Sequence, residues 1–160
     1  MAHLQAPDPP LEIVLHQPEI PPNTGNVARL CACTGSLLHL VAPLGFSLED
    51  RYLKRAGLDY WDKVHVATWD SFDDLVASRP GQRFHLFSAR AERSLWEADL
   101  APGDLLVFGR ESTGLPRELL DAFPDRQVAL PMLPGRRSLN LSSTVAVAVY
   151  EALRRRQGGV

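Results

Sequence analysis

Short, largely apolar runs separated by stretches of helical pattern set the tightest limit on what this chain can fold into. Residues 11–16, 37–41, 64–67, 84–87, 105–108 and 127–130 read as strands. The run Leu105-Leu106-Val107-Phe108 is apolar at every position, as expected of a strand covered on both faces. Helices are expected between the strands. One runs from a cap at Asn23 or Thr24 to Thr34, one from Ser47 to Ala56 with a stop at Gly57, and one from Asp70 to Ser78. A short helix opened by Pro116 ends near Phe123, and a long one covers residues 141–156 behind Asn140. This alternation predicts the α/β class: a mostly parallel sheet with helices on both faces, in a single domain over residues 11–156. Residues 1–10 are expected to be a disordered lead-in and 157–160 a tail.

The last helix needs a second argument, because Val145 to Val149 alternates like a strand. Its length, the cap at Asn140, and Arg154, Arg155 and Arg156 at the negative end of a helix dipole decide for helix. Its centre is apolar nearly all round, so most of its sides must be covered. It is either a central core helix or part of a subunit interface.

Three connections are too rich in polar and special-geometry residues to be ordinary turns. The first, Pro21-Pro22-Asn23-Thr24-Gly25-Asn26-Val27-Ala28-Arg29, opens the first helix, where amides and backbone N–H groups can face a ligand. Arg29 there is either a surface ion-pair residue or a functional one. The second, Phe108-Gly109-Arg110-Glu111-Ser112-Thr113-Gly114-Leu115-Pro116, follows a buried strand, where open α/β sheets bind ligands. Its glycines are spaced as in a phosphate-binding P-loop, but Leu115-Pro116 replaces the lysine and hydroxyl that should follow, which disfavours a nucleoside triphosphatase. The same glycines also suit a plain tight turn. The third, residues 130–143, mixes Leu130, Met132 and Leu133 with Ser138, Asn140, Ser142 and Ser143. It is either a pocket wall with polar recognition groups or an elaborate helix cap.

Composition narrows the rest. The net charge of −2 gives no general attraction for nucleic acid. Residues 136–156, however, hold Arg136, Arg137, Arg154, Arg155 and Arg156 against Glu151 alone, so an acidic body carries a basic C-terminal segment. Arg51, Lys54 and Arg55 make a second positive spot. Each cluster is a solvated helix face or a phosphate-contacting surface. Cys31 and Cys33 match no zinc or redox spacing and read as buried small hydrophobes in a reducing compartment. The five histidines are scattered, those at 39 and 85 within strands as satisfied core residues, and no catalytic metal is expected. With no apolar run of about 18 residues and no signal sequence, a cytoplasmic protein with no membrane partner is expected.

Taken together, the three connections resemble the motifs of the SPOUT class of RNA methyltransferases. The closer stretches Pro18-Glu19-Ile20-Pro21-Pro22-Asn23-Thr24-Gly25-Asn26, Arg55-Ala56-Gly57-Leu58-Asp59-Tyr60 and Arg137-Ser138-Leu139-Asn140-Leu141-Ser142 resemble the minimal tRNA wobble-nucleotide 2′-O-methyltransferases. The resemblance implies a C-terminal deep trefoil knot, a homodimer, and S-adenosyl-L-methionine as cofactor. It also implies 2′-O-methylation of cytidine or uridine 34 of tRNA, in leucine acceptors. A 2′-O-methyltransferase for another tRNA or rRNA position is the alternative enzyme, and an RNA-binding protein retaining the fold the non-enzymatic one. By the same resemblance Arg29 is the catalytic residue. Phe87, Gly109, Leu130 and Ser138 are cofactor contacts, with Glu111 and Asn140 supporting them. Asn23, Asn26, Arg55, Arg136, Arg137, Tyr150 and Arg154 are candidates for holding RNA, Tyr150 being equally readable as a core residue. Arg110 and Thr113 depart from the close relatives, where a proline and a basic residue are common.

Overall fold

The computed structural model describes residues 1–57 and 61–157. Among them the chain runs β1 (Glu12–His16), α1 (Pro21–Thr34), β2 (Leu37–Val41), α2 (Arg51–Gly57), β3 (Val66–Trp69) and α3 (Phe72–Ala77). It continues through β4 (Phe84–Phe87), β5 (Leu105–Phe108), α4 (Arg117–Ala122), β6 (Gln127–Val128) and α5 (Leu141–Gln157). The six strands of the described residues form one parallel sheet in the order β3-β2-β1-β5-β4-β6.

The period-two alternation of a strand sorts the core into two layers. Ile13, Leu15, Leu106 and Phe108 point to the face covered by Val27, Ala28 and Cys31 of α1 and by Val145, Ala148, Val149 and Ala152 of α5. Val14, Leu105 and Val107 point to the other, with Phe72 and Leu75 of α3 and the partly buried Leu119 and Leu120 of α4. Helices therefore cover both faces, and β1 and β5 are buried on both, as the apolar run of β5 requires.

Strand positions follow the sequence reading more closely than helix starts do. α1 begins at Pro21 with Ile20 as its cap residue and no capping side chain. The two prolines at its first positions bring a helical φ and lack the N–H that would need a partner. Asn23 and Thr24, expected as caps, are instead buried inside the helix. For α2 the cap is Asp50, whose Oδ1 accepts from the Tyr52 and Leu53 amides at 2.7 and 3.3 Å. Ser47 only closes the preceding turn, accepting from Glu49 N at 3.1 Å. Ser71 rather than Asp70 caps α3, accepting from Asp74 N at 3.1 Å. β3 starts two residues late because Trp61–Lys63 form a 3-10 turn. β6 stops at Val128, after which Ala129 bridges to Ser94. Leu58, Asp59 and Tyr60, part of the second close motif, the Lys54 side chain and residues 158–160 of the tail lie outside the described residues.

Cys31 is buried, which pushes its thiol pKa up, but Cys33 is exposed. Two positions along a helix turn a side chain by about 200°, so both cannot face one core. His39 is a satisfied core residue, whereas the expectation holds only in part for His85, whose buried Nδ1 has no hydrogen-bond partner. His39 Nδ1 accepts from Trp69 Nε1 at 3.0 Å, so its Nε2–H donates to Glu12 Oε1 at 3.2 Å. His85 Nε2 meets Asp104 Oδ2 at 2.8 Å. Within residues 1–10, Leu4 packs on the core and the Pro10 carbonyl accepts from Gly103 N at 3.1 Å.

Candidate active site

The three polar connections converge on one cavity of about 1030 Å³ beyond the C-terminal ends of β4, β5 and β6. That is the ligand side of an open parallel sheet, and the volume suits a cofactor-sized molecule. Phe87 and Phe108, ring-stacked with centroids 4.5 Å apart, leave the strand ends into its wall. All six residues expected at a cofactor line it: Phe87, Gly109, Glu111, Leu130, Ser138 and Asn140. Asn23 and Arg137, expected to hold RNA, line it as well.

Loop 110–114 owes its shape to Gly109. A β-carbon there would stand 2.6 Å from the Gly114 carbonyl oxygen, and closer still to Gly114 C and Leu115 N. The loop closes by Arg110 N donating to Gly114 O at 3.2 Å and Gly114 N to Arg110 O at 2.9 Å, with Gly114 in the left-handed region at φ 73°. Only a residue without a β-carbon lets the backbone at 109 approach that of Gly114 and Leu115 so closely.

Glu111 spends its carboxylate on protein. It accepts from Glu19 N at 3.1 and 3.2 Å and from Ile20 N, at the positive end of α1. Asn140 is also committed: its Nδ2 donates to Asn23 Oδ1 at 3.0 Å, and its Oδ1 accepts from Ser143 N at 3.2 Å as the cap of α5. Both readings of the third connection, cap and cavity wall, are therefore true of one residue. The lining carries Arg90, Arg110, Arg117 and Arg137 against Glu111 and Asp121. His16, at the end of β1, is held below its usual pKa by burial first and then by the nearby Arg110 charge.

The other expected residues stand apart from the cavity lining. Pro22, Asn26, Arg29 and Cys33 are exposed along one stripe of α1. Ser143, Val147, Tyr150 and Arg154 are exposed along one stripe of α5, which packs against α1. Tyr150 is 53% exposed and Val147 44%, so the apolar helix is a core helix on one side and bare on the other. Arg154 keeps a mostly exposed side chain while pairing with Glu151 at 3.0 Å. Arg55 is exposed on α2, and Arg136 lines a smaller recess of about 280 Å³ beside the cavity. Arg155 is not a phosphate-contacting surface residue. Its guanidinium donates to the carbonyls of Leu95 at 3.0 Å, Trp96 at 2.6 Å and Ala98, and to Glu151 at 2.8 Å. Sequence reading missed Glu19 and Ser112, which bind each other beside the cavity: Glu19 Oε1 accepts from Ser112 N at 3.1 Å and Ser112 Oγ at 2.6 Å. An acid placed just before two helix-opening prolines was the available signal.

No group of three His, Cys, Asp or Glu among the described residues could hold a metal ion, and no helix among them is long and apolar enough to cross a membrane. A parallel sheet with a cofactor-sized cavity at the C-terminal ends of its strands is the arrangement of an α/β ligand-binding domain, and comparison with known proteins gives its class. The fold is shared with the SpoU methyltransferase AviRb from Streptomyces viridochromogenes in complex with AdoMet (TM-score 0.80, 20% identity, 92% of this chain and 61% of that one). The chain belongs to the SpoU rRNA methylase family, whose pattern matches residues 10–150. It is 50% identical over 144 residues to the tRNA (cytidine(34)-2′-O)-methyltransferase of Methylovorus glucosotrophus, covering 89% of this chain and 94% of that protein. To the enzyme of the same name from Burkholderia ambifaria it is 51% identical over 146 residues, covering 89% and 93%. A solved structure described as giving insight into 2′-OH methylation of C/U34 on tRNA superposes with a TM-score of 0.89 at 52% identity, over 92% of this chain and 97% of that one.

Proposed function

We propose that this protein transfers the methyl group of S-adenosylmethionine to the ribose 2′-hydroxyl of nucleotide 34, cytidine or uridine, in the anticodon loop of tRNA, with leucine acceptors as its substrates in the cytoplasm. The observation that carries the reading is the convergence of all three motif loops on one cavity, in a chain about half identical over nearly its whole length to relatives named for that reaction. When bound, the cofactor supplies an electrophilic sulfonium methyl. The aromatic and aliphatic wall of Phe87, Phe108, Leu130 and Met132 suits an adenine ring, and the bare backbone at Gly109 and the polar edge at Ser138 suit its hydrogen-bonding groups.

Arg29 is assigned the catalytic role. A guanidinium stays protonated in proteins, so it acts by stabilising the alkoxide that develops at the 2′-oxygen, the proton passing to phosphate or water. Because Arg29 lies on the outward stripe of α1 and not in the cavity lining, the reading includes a homodimer that buries the α1 and α5 stripes and brings Arg29 into a composite site with Asn26 and Tyr150. Arg55, Arg136, Arg137 and Arg154 hold phosphates of the anticodon arm, so tRNA affinity falls steeply with salt.

Nucleoside mass spectrometry on leucine tRNAs incubated with the protein and S-adenosylmethionine tests the reading. A 2′-O-methylated nucleotide 34 is expected, and methylation at another tRNA or an rRNA position refutes it. Arg29→Ala should lower turnover about 100- to 1000-fold while S-adenosylhomocysteine still binds. Arg29→Lys separates the roles: electrostatic stabilisation loses activity above the lysine pKa, whereas a base gains it.

A further inference from the structure

We propose that Glu19 is a positioning residue for methyl transfer, its carboxylate fastening the start of α1 to cavity loop 110–114 and so setting where the outward stripe of α1 stands relative to the bound cofactor. The inference rests on the reading of the cavity as the cofactor site.

The two segments exchange carboxylates across more than ninety residues of sequence. Glu19 Oε1 accepts from the Ser112 amide and hydroxyl, while the Glu111 carboxylate accepts from the Glu19 and Ile20 amides. Each acid holds the backbone of the segment that carries the other, so neither segment can shift without breaking bonds at both. The bonds from the Ser112 hydroxyl and amide, helped by the nearby Arg110 charge, hold Glu19 below the usual carboxylate range.

The segment is gripped from behind as well. Gly45 N donates to Pro18 O at 2.9 Å, and a β-carbon on Gly45 would stand 2.8 Å from Glu19 Cα. The chain enters through Gln17, held in the left-handed region at φ 55°, and leaves into the stiff Pro21-Pro22 start of α1. Strain of this kind persists only where neighbours over-determine the backbone. The side chain of Glu19 does not line the cavity, but its neighbours Ile20 and Asn23 do. Its place is between the loop that touches the cofactor and the helix that presents Asn26 and Arg29. Misplacing a reacting group by about 1 Å can cost about 100-fold in rate.

The test compares Glu19→Ala, Glu19→Gln and Ser112→Ala with the parent in the full chain. Transfer is followed with radiolabelled S-adenosylmethionine on total tRNA and rRNA, so the position of the methyl group is not assumed. S-adenosylhomocysteine binding and amide exchange at Ser112 are measured without RNA. Glu19→Ala should lower kcat about 10- to 100-fold, leave cofactor affinity within about threefold, and speed exchange at Ser112. Glu19→Gln keeps the Oε1 acceptor and should recover kcat to within about threefold of the parent. Ser112→Ala keeps the amide donor and should fall between. A kcat for Glu19→Ala within threefold of the parent overturns the proposal. So does unchanged exchange at Ser112, or a Glu19→Gln variant as slow as Glu19→Ala. Equal loss of melting temperature, cofactor affinity and kcat also overturns it, because that is the signature of a merely structural role. Methylation away from nucleotide 34 would overturn the substrate assignment alone.

Discussion

Replacing Gly109 by alanine should dismantle cavity loop 110–114. The added methyl would lie 2.6 Å from Gly114 O and within bonding-like range of Gly114 C and Leu115 N, all backbone atoms that cannot rotate away. Overpacking of this kind costs about 1–3 kcal/mol. The loop must also open, giving up the two Arg110–Gly114 backbone bonds at about 1 kcal/mol each. The total is about 3–5 kcal/mol, which for a chain of this length lowers the melting temperature by roughly 10 °C. Because loop 110–114 is a wall of the cavity, S-adenosylhomocysteine affinity should fall more than tenfold by calorimetry. Gly81→Ala is the control for the added methyl: Gly81 sits at a positive φ of 75°, unlike Gly109, but has open space around the new methyl. It should show only the left-handed backbone cost of about 1–2 kcal/mol, with parental cofactor affinity. A Gly109→Ala protein that melts no lower than Gly81→Ala, and binds the cofactor product normally, would refute the close-approach argument.

Other outcomes follow from the buried polar groups. Burial would raise the pKa of Glu12, but bonds from His39, Arg79 and Gln82 outweigh it and hold the carboxyl down to about 2. For Asp104 burial is likewise outweighed by His85, Arg83 and the Ala101 amide, again giving about 2. Both pKa values are depressed by folding, so their stabilisation is complete above the ordinary values of 4.5 and 3.8 and drains away as pH falls towards about 2; thermal melts across that range should show the loss, and Glu12→Gln should flatten it. Arg155→Ala leaves the carbonyls of Leu95, Trp96 and Ala98 without their charged donor and should cost about 2–3 kcal/mol in urea unfolding, while Arg156→Ala costs little. Gln17→Gly relieves a left-handed non-glycine residue and should leave stability unchanged or raise it by up to about 1 kcal/mol; a clear loss would show that the Gln17 side chain itself matters.

How far the fold could be read from the chain differs by element. β2, β4 and β5 stand where their apolar runs put them, because a buried parallel strand has no way to hide its composition. Helix starts were harder. Ser47 and Asp50, or Asp70 and Ser71, are equally good caps by chemistry, and only the direction of the incoming chain chooses between them. For α1 the prolines carried the signal and the nearby asparagine misled. The cavity residues were legible as motifs, but a motif does not say what a side chain binds. Glu111 and Asn140 read as cofactor supports; both line the cavity, and their side chains are bonded to the starts of α1 and α5.

The sequence by itself determined the α/β class, the buried strands and the three loops that meet at the cavity, because strand composition and loop glycines are local constraints. It also held the acidic body and basic C-terminal segment that a net charge of −2 conceals. Only the tertiary structure decided where the arginines are placed. Arg29 and Arg154 face outward, while Arg155 is committed to three backbone carbonyls. It alone also paired Glu19 with Ser112 and Glu111 with Ile20. Those bonds join segments far apart in the chain, and their partners exist only once the sheet has set β1 beside β5.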